Sequence, residues 1–238
     1  MIDFTIWPRT LFPSKSDTAF HLVPWTRTGG RSLTGFERVT RTDSGFWKAD
    51  ITEIVLNGRD PHQWRTWHAL RQKIGGRAGV VGVSHSGWNA IGPNYRPSQK
   101  TTHSDGATFS DGTKYRGRTM CALMHEAAEI GQTVVKIEVV YGLEHVSGLR
   151  FSHEWALYET GPYLSNSQTV FEVPISPAIR RRIPAGAELE LDEPGCLMRL
   201  ITDSAMDISL PLNRVATANL AFTEALEVWE ELVENDAS

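Results

Sequence analysis

Apolar positions along this chain follow two periods, and most of them follow the shorter one. Residues 3–7 (DFTIW), 35–41 (GFERVTR), 46–56 (FWKADITEIVL) and 133–142 (TVVKIEVVYG) alternate polar and apolar side chains, the two-residue repeat of a half-buried strand. The tract 18–27 (TAFHLVPWTR) is extended as well, with Pro24 marking an edge or a bulge. Turns are predicted at Gly29-Gly30, Asp43-Ser44-Gly45 and Asn57-Gly58. The apolar run 78–84 (AGVVGVS) predicts a short buried strand.

One stretch, 60–76 (DPHQWRTWHALRQKIGG), switches to the helical period. Asp60 suits the N-cap, Pro61 the first helical position, and Gln63 completes a capping-box-like pattern. Trp64, Trp67, Leu70 and Ile74 recur at spacings of three, three and four and so share one face, the predicted core face. Lys73 lies in the last turn, and Gly75-Gly76 supplies the positive-φ stop. Strands followed by one amphipathic helix predict a sheet with the helix laid on its apolar face.

Farther along, 121–131 (CALMHEAAEIG) could form a helical turn. Short strands are predicted at 148–152, 155–160, 169–175 and 187–191, with turn residues between them. That even rhythm predicts a small antiparallel barrel or sandwich. Residues 196–203 and 206–212 predict a strand pair, and 216–226 a final strand. The acidic end, with Leu226, Trp229 and Leu232 at helical spacing, reads as a docked helix or as a contact for a neighbour. The fold class is mainly β (α+β).

Composition narrows the function. Hydrophobic residues make up 40% and charged residues 22%, which excludes wholesale disorder. A net charge of −4 gives no electrostatic reason for nucleic-acid binding. The start of the chain lacks the basic, apolar pattern of a signal peptide, and no run of 18 apolar residues predicts a membrane span. The expected setting is a cytoplasm, or assembly within one. Cys121 and Cys196 could pair, but two thiols in a chain this long read first as reduced core residues.

The candidate chemistry is sparse. His125-Glu126 with Glu129 lacks the second histidine of a metalloprotease helix. Ser84-His85-Ser86-Gly87 lacks the glycine spacing of a nucleophile elbow. Gly75 to Gly79 follows a helix instead of opening one, the wrong order for a phosphate loop. Asp105-Gly106 and Asp111-Gly112 read as turns ahead of calcium ligands. No catalytic residue, cofactor or metal is expected. The eight tryptophans raise a second possibility, carbohydrate binding by stacked rings, with Trp88, Trp155, Tyr158 and Tyr163 as platforms. The long tract 85–118, dominated by Gly, Pro, Ser, Thr, Asn and Asp, reads as a contact arm or a linker.

Three segments carry a family resemblance: 45–81, with its strand, Trp-rich helix and Gly-Arg-Ala stop; HSDGATFSDGTKYRGR at 103–118; and 174–226, with PGCLMRL and DSAMDISL inside it. In that order they resemble the tail-tip proteins of siphophages and related prophages of alphaproteobacteria, in the distal-tail-protein position. The resemblance implies a tail-tube-like β-sandwich with one flanking helix, formed by 1–118 together with 196–238. A small β-barrel at 119–195 would be inserted into it. It also implies a homo-oligomeric ring, usually a hexamer, in the virion tail tip. The partners implied are the tail tube protein, the baseplate hub and other tip proteins, with host surface polysaccharide as a further one. Within that picture the contact loop would present Trp88, Tyr95, His103, Asp105, Phe109, Asp111, Tyr115 and Arg116 to a neighbouring subunit.

Overall fold

The computed structural model describes residues 3–9, 11–12, 18–31, 33–85, 89, 100–101, 115–116, 120–209, 212 and 214–236. Among the described residues the fold is mainly β, with two α-helices and two principal sheets. The elements in order are β1 (Thr5–Ile6), β2 (Ala19–Arg31), β3 (Glu37–Asn57), α1 (Pro61–Ile74), β4 (Val81–Ser84), β5 (Lys100–Thr101) and β6 (Tyr115–Arg116). They continue with β7 (Cys121–Met124), β8 (Val134–Tyr141), β9 (Arg150–His153), β10 (Ala156–Thr160), β11 (Ser165–Ser167) and β12 (Val170–Ser176). The chain ends in β13 (Gly195–Leu200), β14 (Val215–Glu224) and α2 (Leu226–Asp236).

The first sheet runs β1-β4-β13-β14-β3-β2 and is antiparallel except where β1 pairs with β4. Helix α1 covers its inner face. Asp60 caps it as the sequence predicts, its side chain accepting from the amides of His62 (2.9 Å) and Gln63 (3.2 Å). Gly75 closes it in the left-handed region at φ 61°, its amide donating to the Arg71 carbonyl. A β-carbon at Gly79 would stand 2.1 Å from the Ile74 carbonyl oxygen, so the return of the chain against the helix end requires glycine.

Two details of this helix differ from the reading above. Gln63 does not complete a capping box. Its side chain accepts from the Asn57 amide (2.6 Å) and donates to the carbonyls of Leu11 (2.8 Å) and Val55 (3.2 Å), tying the helix to the strand before it. The buried stripe is Gln63, Trp67, Leu70 and Ile74, and Trp64 is only half-buried at its margin. There it meets His68 edge-on at 5.2 Å. Trp67 is the centre, fully enclosed with Trp7 and Phe12 edge-on against it, and Phe222 meets Trp7 in turn.

The second sheet runs β7-β8-β12-β10-β9, with β11 added on β12. Residues 187–191, predicted as a strand, form instead isolated bridges to both edges: Glu188 to Leu123 of β7 and Glu190 to Ser152 of β9. This segment curls the sheet toward closure and leaves neither edge bare. Residues 125–131 form no helical turn, and Ala128 bridges Ile183 instead. Residues 206–209 are not a strand. Met206 turns into the first core, and its carbonyl accepts from the Trp67 indole at 3.1 Å.

The two sheets have separate cores joined along one seam. Helix α2 directly follows β14 of the first sheet yet buries Val228 and Trp229 in the second core. The indole of Trp47 donates to the Leu157 carbonyl at 2.8 Å, and the Arg150 guanidinium lies over the Trp47 ring at 4.9 Å. Asn89 adds a buried clamp, donating to the carbonyls of Arg150 (2.7 Å) and Leu191 (2.8 Å) and accepting from the Arg150 amide.

Candidate functional site

A long hairpin made by β2 and β3 extends beyond the first sheet. Strand β14 pairs with β3 only over 48–57, so the outer part of β3 pairs with β2 alone. From residues 24 and 44 outward the hairpin leaves the sheet as a two-stranded ribbon. Its seven residues from Trp25 to Arg31 reach roughly 20 Å at strand rise. Every described side chain of residues 24–40 is exposed. Among them are Trp25 at 50%, Phe36 at 79%, Val39 at 57% and, at the tip, a wholly open Leu33.

Sequence reasoning missed this ribbon because it took two glycine-bearing segments for turns. Gly29-Gly30 lies inside β2 at a register shift between Thr28 and Arg31, with Gly30 at φ 78°. Asp43-Ser44-Gly45 lies inside β3, opposite a second shift between Val23 and Trp25. Pro24 has no amide to donate, so the ladder slips there instead of ending. Gly45 allows the close approach, since a β-carbon on it would meet the Val23 carbonyl oxygen at 3.2 Å. The true turn is at Leu33 to Gly35.

The ribbon has a chemical face. Directly paired residues share a side, so Trp25, Arg27, Thr40 and, two along from it, Arg38 lie together. Between Trp25 and Thr42 the sequence holds four arginines (27, 31, 38 and 41) against the single carboxylate of Glu37. A net-acidic chain therefore carries a basic, aromatic-bearing projection.

Helix α2 is its opposite. Glu227, Glu230, Glu231 and Glu234 fall at helical spacings of three, one and three, and no basic residue occurs in the helix. Glu227, Glu230 and Glu231 are exposed, next to Leu226 at 37%. The inner side of the helix is fixed by Trp229, whose indole donates to Glu224 at 3.1 Å.

Glu224 is the polar hub of the seam. One carboxylate oxygen accepts from the Trp47 amide (3.0 Å), and the other accepts from Arg180 Nε (3.2 Å) and the Trp229 indole. Arg180 also donates to the Gly45 carbonyl at the root of the ribbon. Burial raises the carboxyl above its ordinary value, and the Arg180 charge and the donors oppose that shift without cancelling it. Burial likewise pushes up the Tyr158 hydroxyl, which accepts from the Arg180 amide, and the Cys196 thiol.

Several other polar groups pair with one another. His125 faces Glu138 at 3.3 Å. Lys136 donates to Glu126 at 2.8 Å, which lowers the Glu126 carboxyl and raises the lysine. An open depression of about 600 Å³ beside α2 is lined by Glu129, His153, Glu154, Arg181 and Arg182. Its arginines pair across it with its own glutamates. Among the described residues no three His, Cys, Asp or Glu side chains are placed to hold a metal. No helix there is long and apolar enough to cross a membrane.

Of the residues predicted for subunit contact, Trp88, Tyr95, His103, Asp105, Phe109 and Asp111 lie outside the described set. Tyr115 and Arg116 are described only in backbone, as β6 paired with β5. Trp88 was also a sugar-platform candidate. Of the other three, Tyr158 is fully buried and Trp155 is packed between the sheets, leaving Tyr163 exposed at 47%. No protein-family model matches the chain, and no curated protein matches it.

Proposed function

We propose that this chain is a structural protein of a phage tail tip, a subunit of a ring in the distal-tail-protein position between the tail tube and the baseplate hub. The observation that supports this reading is the projecting β2–β3 ribbon. A two-stranded ribbon is marginal alone in water, and among the described residues this one leaves Trp25, Leu33, Phe36 and Val39 largely exposed. Such an element gains its stability from a neighbouring subunit, as a ring subunit with heterologous contacts requires. The resemblance of residues 45–81, 103–118 and 174–226 to tail-tip proteins points the same way. The role is one of assembly and not of catalysis. The chain would reside in the virion tail tip after assembly in the host cytoplasm.

Size-exclusion chromatography with light scattering, together with negative-stain imaging of the purified full chain, tests this reading. A closed oligomer is expected. Replacing residues 26–41 by Asn-Gly, which joins the paired positions Trp25 and Thr42 by a two-residue turn, should leave circular dichroism nearly unchanged and give monomers. A full chain that stays monomeric at high micromolar concentration, or a shortened chain that assembles as well as the full one, overturns it.

A further inference from the structure

We infer that Arg180 and Glu224 form a strap across the seam that holds the root of the β2–β3 ribbon and the base of α2 as one unit. The inference is independent of the ring reading, since it concerns a single copy of the chain. Three observations carry it. First, the strap stands where a strand runs out. The ladder between β3 and β14 ends with Lys48 opposite Thr223. Continuing that register sets Glu224 opposite Trp47 and would bring the following rung to Gly45. The main chain turns into α2 at Leu226 instead. Side chains take the vacated edge of β3. The Glu224 carboxylate accepts from the Trp47 amide at 3.0 Å, and the Arg180 guanidinium donates to the Gly45 carbonyl. Gly45 and Trp47 are two residues apart, so both present their main-chain groups to that edge.

Second, the two side chains are bound to each other and to remote parts of the chain. Arg180 Nε donates to Glu224 at 3.2 Å, and the same carboxylate oxygen accepts from the Trp229 indole of α2 at 3.1 Å. The Arg180 amide donates to the Tyr158 hydroxyl at 3.0 Å, which seats the arginine on β10 of the second sheet. Third, the pair is shielded: the Glu224 side chain is 1% exposed and that of Arg180 17%. Water does not compete freely for these charge-assisted bonds, so they hold firmly. The second sheet thus sets the direction in which the ribbon leaves the first, through Arg180, and the same carboxylate anchors α2. A contact that tilts the ribbon acts on α2 through this one pair.

Hydrogen exchange of the full chain, read by mass spectrometry, tests the strap. Glu224→Gln removes the charged acceptor at its centre. Exchange should quicken about tenfold or more in peptides spanning 44–48 and 226–233 together, while β8 and α1 stay within about twofold of the wild type. Trp64→Ala controls for a general loss of stability, because that ring takes part in none of the strap's bonds, and it should not reproduce the pattern. Arg180→Lys keeps a cation beside Glu224 but lacks the fork that also reaches Gly45. It should quicken exchange at 44–48 by a similar factor. Faster exchange spread evenly over the Glu224→Gln chain, or confined to one of the two segments, overturns the strap. So does an Arg180→Lys chain whose 44–48 segment stays protected, and that variant decides alone if Glu224→Gln does not fold.

Discussion

The indole of Trp155 fills the space where a β-carbon on Gly195 would stand, its Cζ3 lying 2.7 Å from that position. The same ring lies 3.0 Å from the corresponding point on Gly82 of the adjacent strand, and Phe4 meets it edge-on at 5.6 Å. Trp155 belongs to the second sheet's β9–β10 turn, where Glu154 and Trp155 both take positive φ (48° and 70°). Two side-chain-free positions on the first sheet therefore receive a tryptophan from a turn that glycine or asparagine would adopt more easily. The packing of that ring holds the turn in place.

Gly195→Ala should accordingly destabilise the chain by about 1–3 kcal/mol, the usual cost of overpacking a closed site. A double-mutant cycle with Trp155→Ala in urea denaturation checks the cause. The alanine at 195 should cost much less once the ring is gone, giving a coupling of about 1 kcal/mol or more. Additive effects would show that the glycine is needed for some other reason.

Helix α1 supplies the second prediction. Trp67→Ala removes a fully enclosed ring and its hydrogen bond to the Met206 carbonyl, so it should cost about 3–5 kcal/mol. Trp64→Ala truncates a half-buried ring at the margin and should cost about 1–2 kcal/mol. Helical periodicity alone would assign both rings the same loss. The urea midpoints of the two variants, compared at equal slope, separate these expectations.

That contrast marks what was legible in the sequence. Features decided within a few residues were readable: the Asp60 cap, the Gly75 stop, and the alternation of β8 and β14. Features decided by distant chain were not. Gln63 looked like a capping residue because nothing local shows that Leu11 and Asn57 come to meet it. Residues 187–191 read as an ordinary strand, whereas their bridging role depends on where β7 and β9 end up. The ribbon was hidden because Gly29-Gly30 and Asp43-Ser44-Gly45 have turn chemistry. Only the partner strand's register turns those signals into bulges. The acidic stripe of α2 was visible as composition, but its exposure follows from Trp229 being drawn inward to Glu224.

The cysteines give a third prediction. Neither is in a disulfide: Cys196 is wholly buried and Cys121 half-buried near the Glu188 carboxylate. With its thiol buried and its ionisation pushed well up, Cys196 should not react with maleimide in the folded chain. Mass spectrometry should find at most one label, at Cys121, in the native chain and two in urea. Cys121→Ser should abolish native labelling. A label on native Cys196 would mean that β13 opens far more readily than its central place in the sheet implies.

The seam should make stability depend on pH through Glu224. Its carboxyl is raised above the ordinary value by burial, so between the unfolded and folded values the native state holds more protons than the unfolded state. Stability from this group is therefore fully present below the ordinary carboxylate range. It is lost as pH rises through the raised value. The lost part is the cost of charging a group 1% exposed at its side chain, against which Arg180 and the amide and indole donors pull. Glu224→Gln abolishes the titration and should flatten the urea midpoint across that window. It should also lower stability at every pH by about 1–3 kcal/mol, because one of its two polar ends is now a donor facing the Trp47 amide, the Arg180 guanidinium or the Trp229 indole. A wild-type profile that rises through the same window would show that the charged form is the one the fold prefers, and a variant as stable as the wild type would show that the hydrogen bonds to Glu224 contribute nothing beyond what a neutral amide supplies.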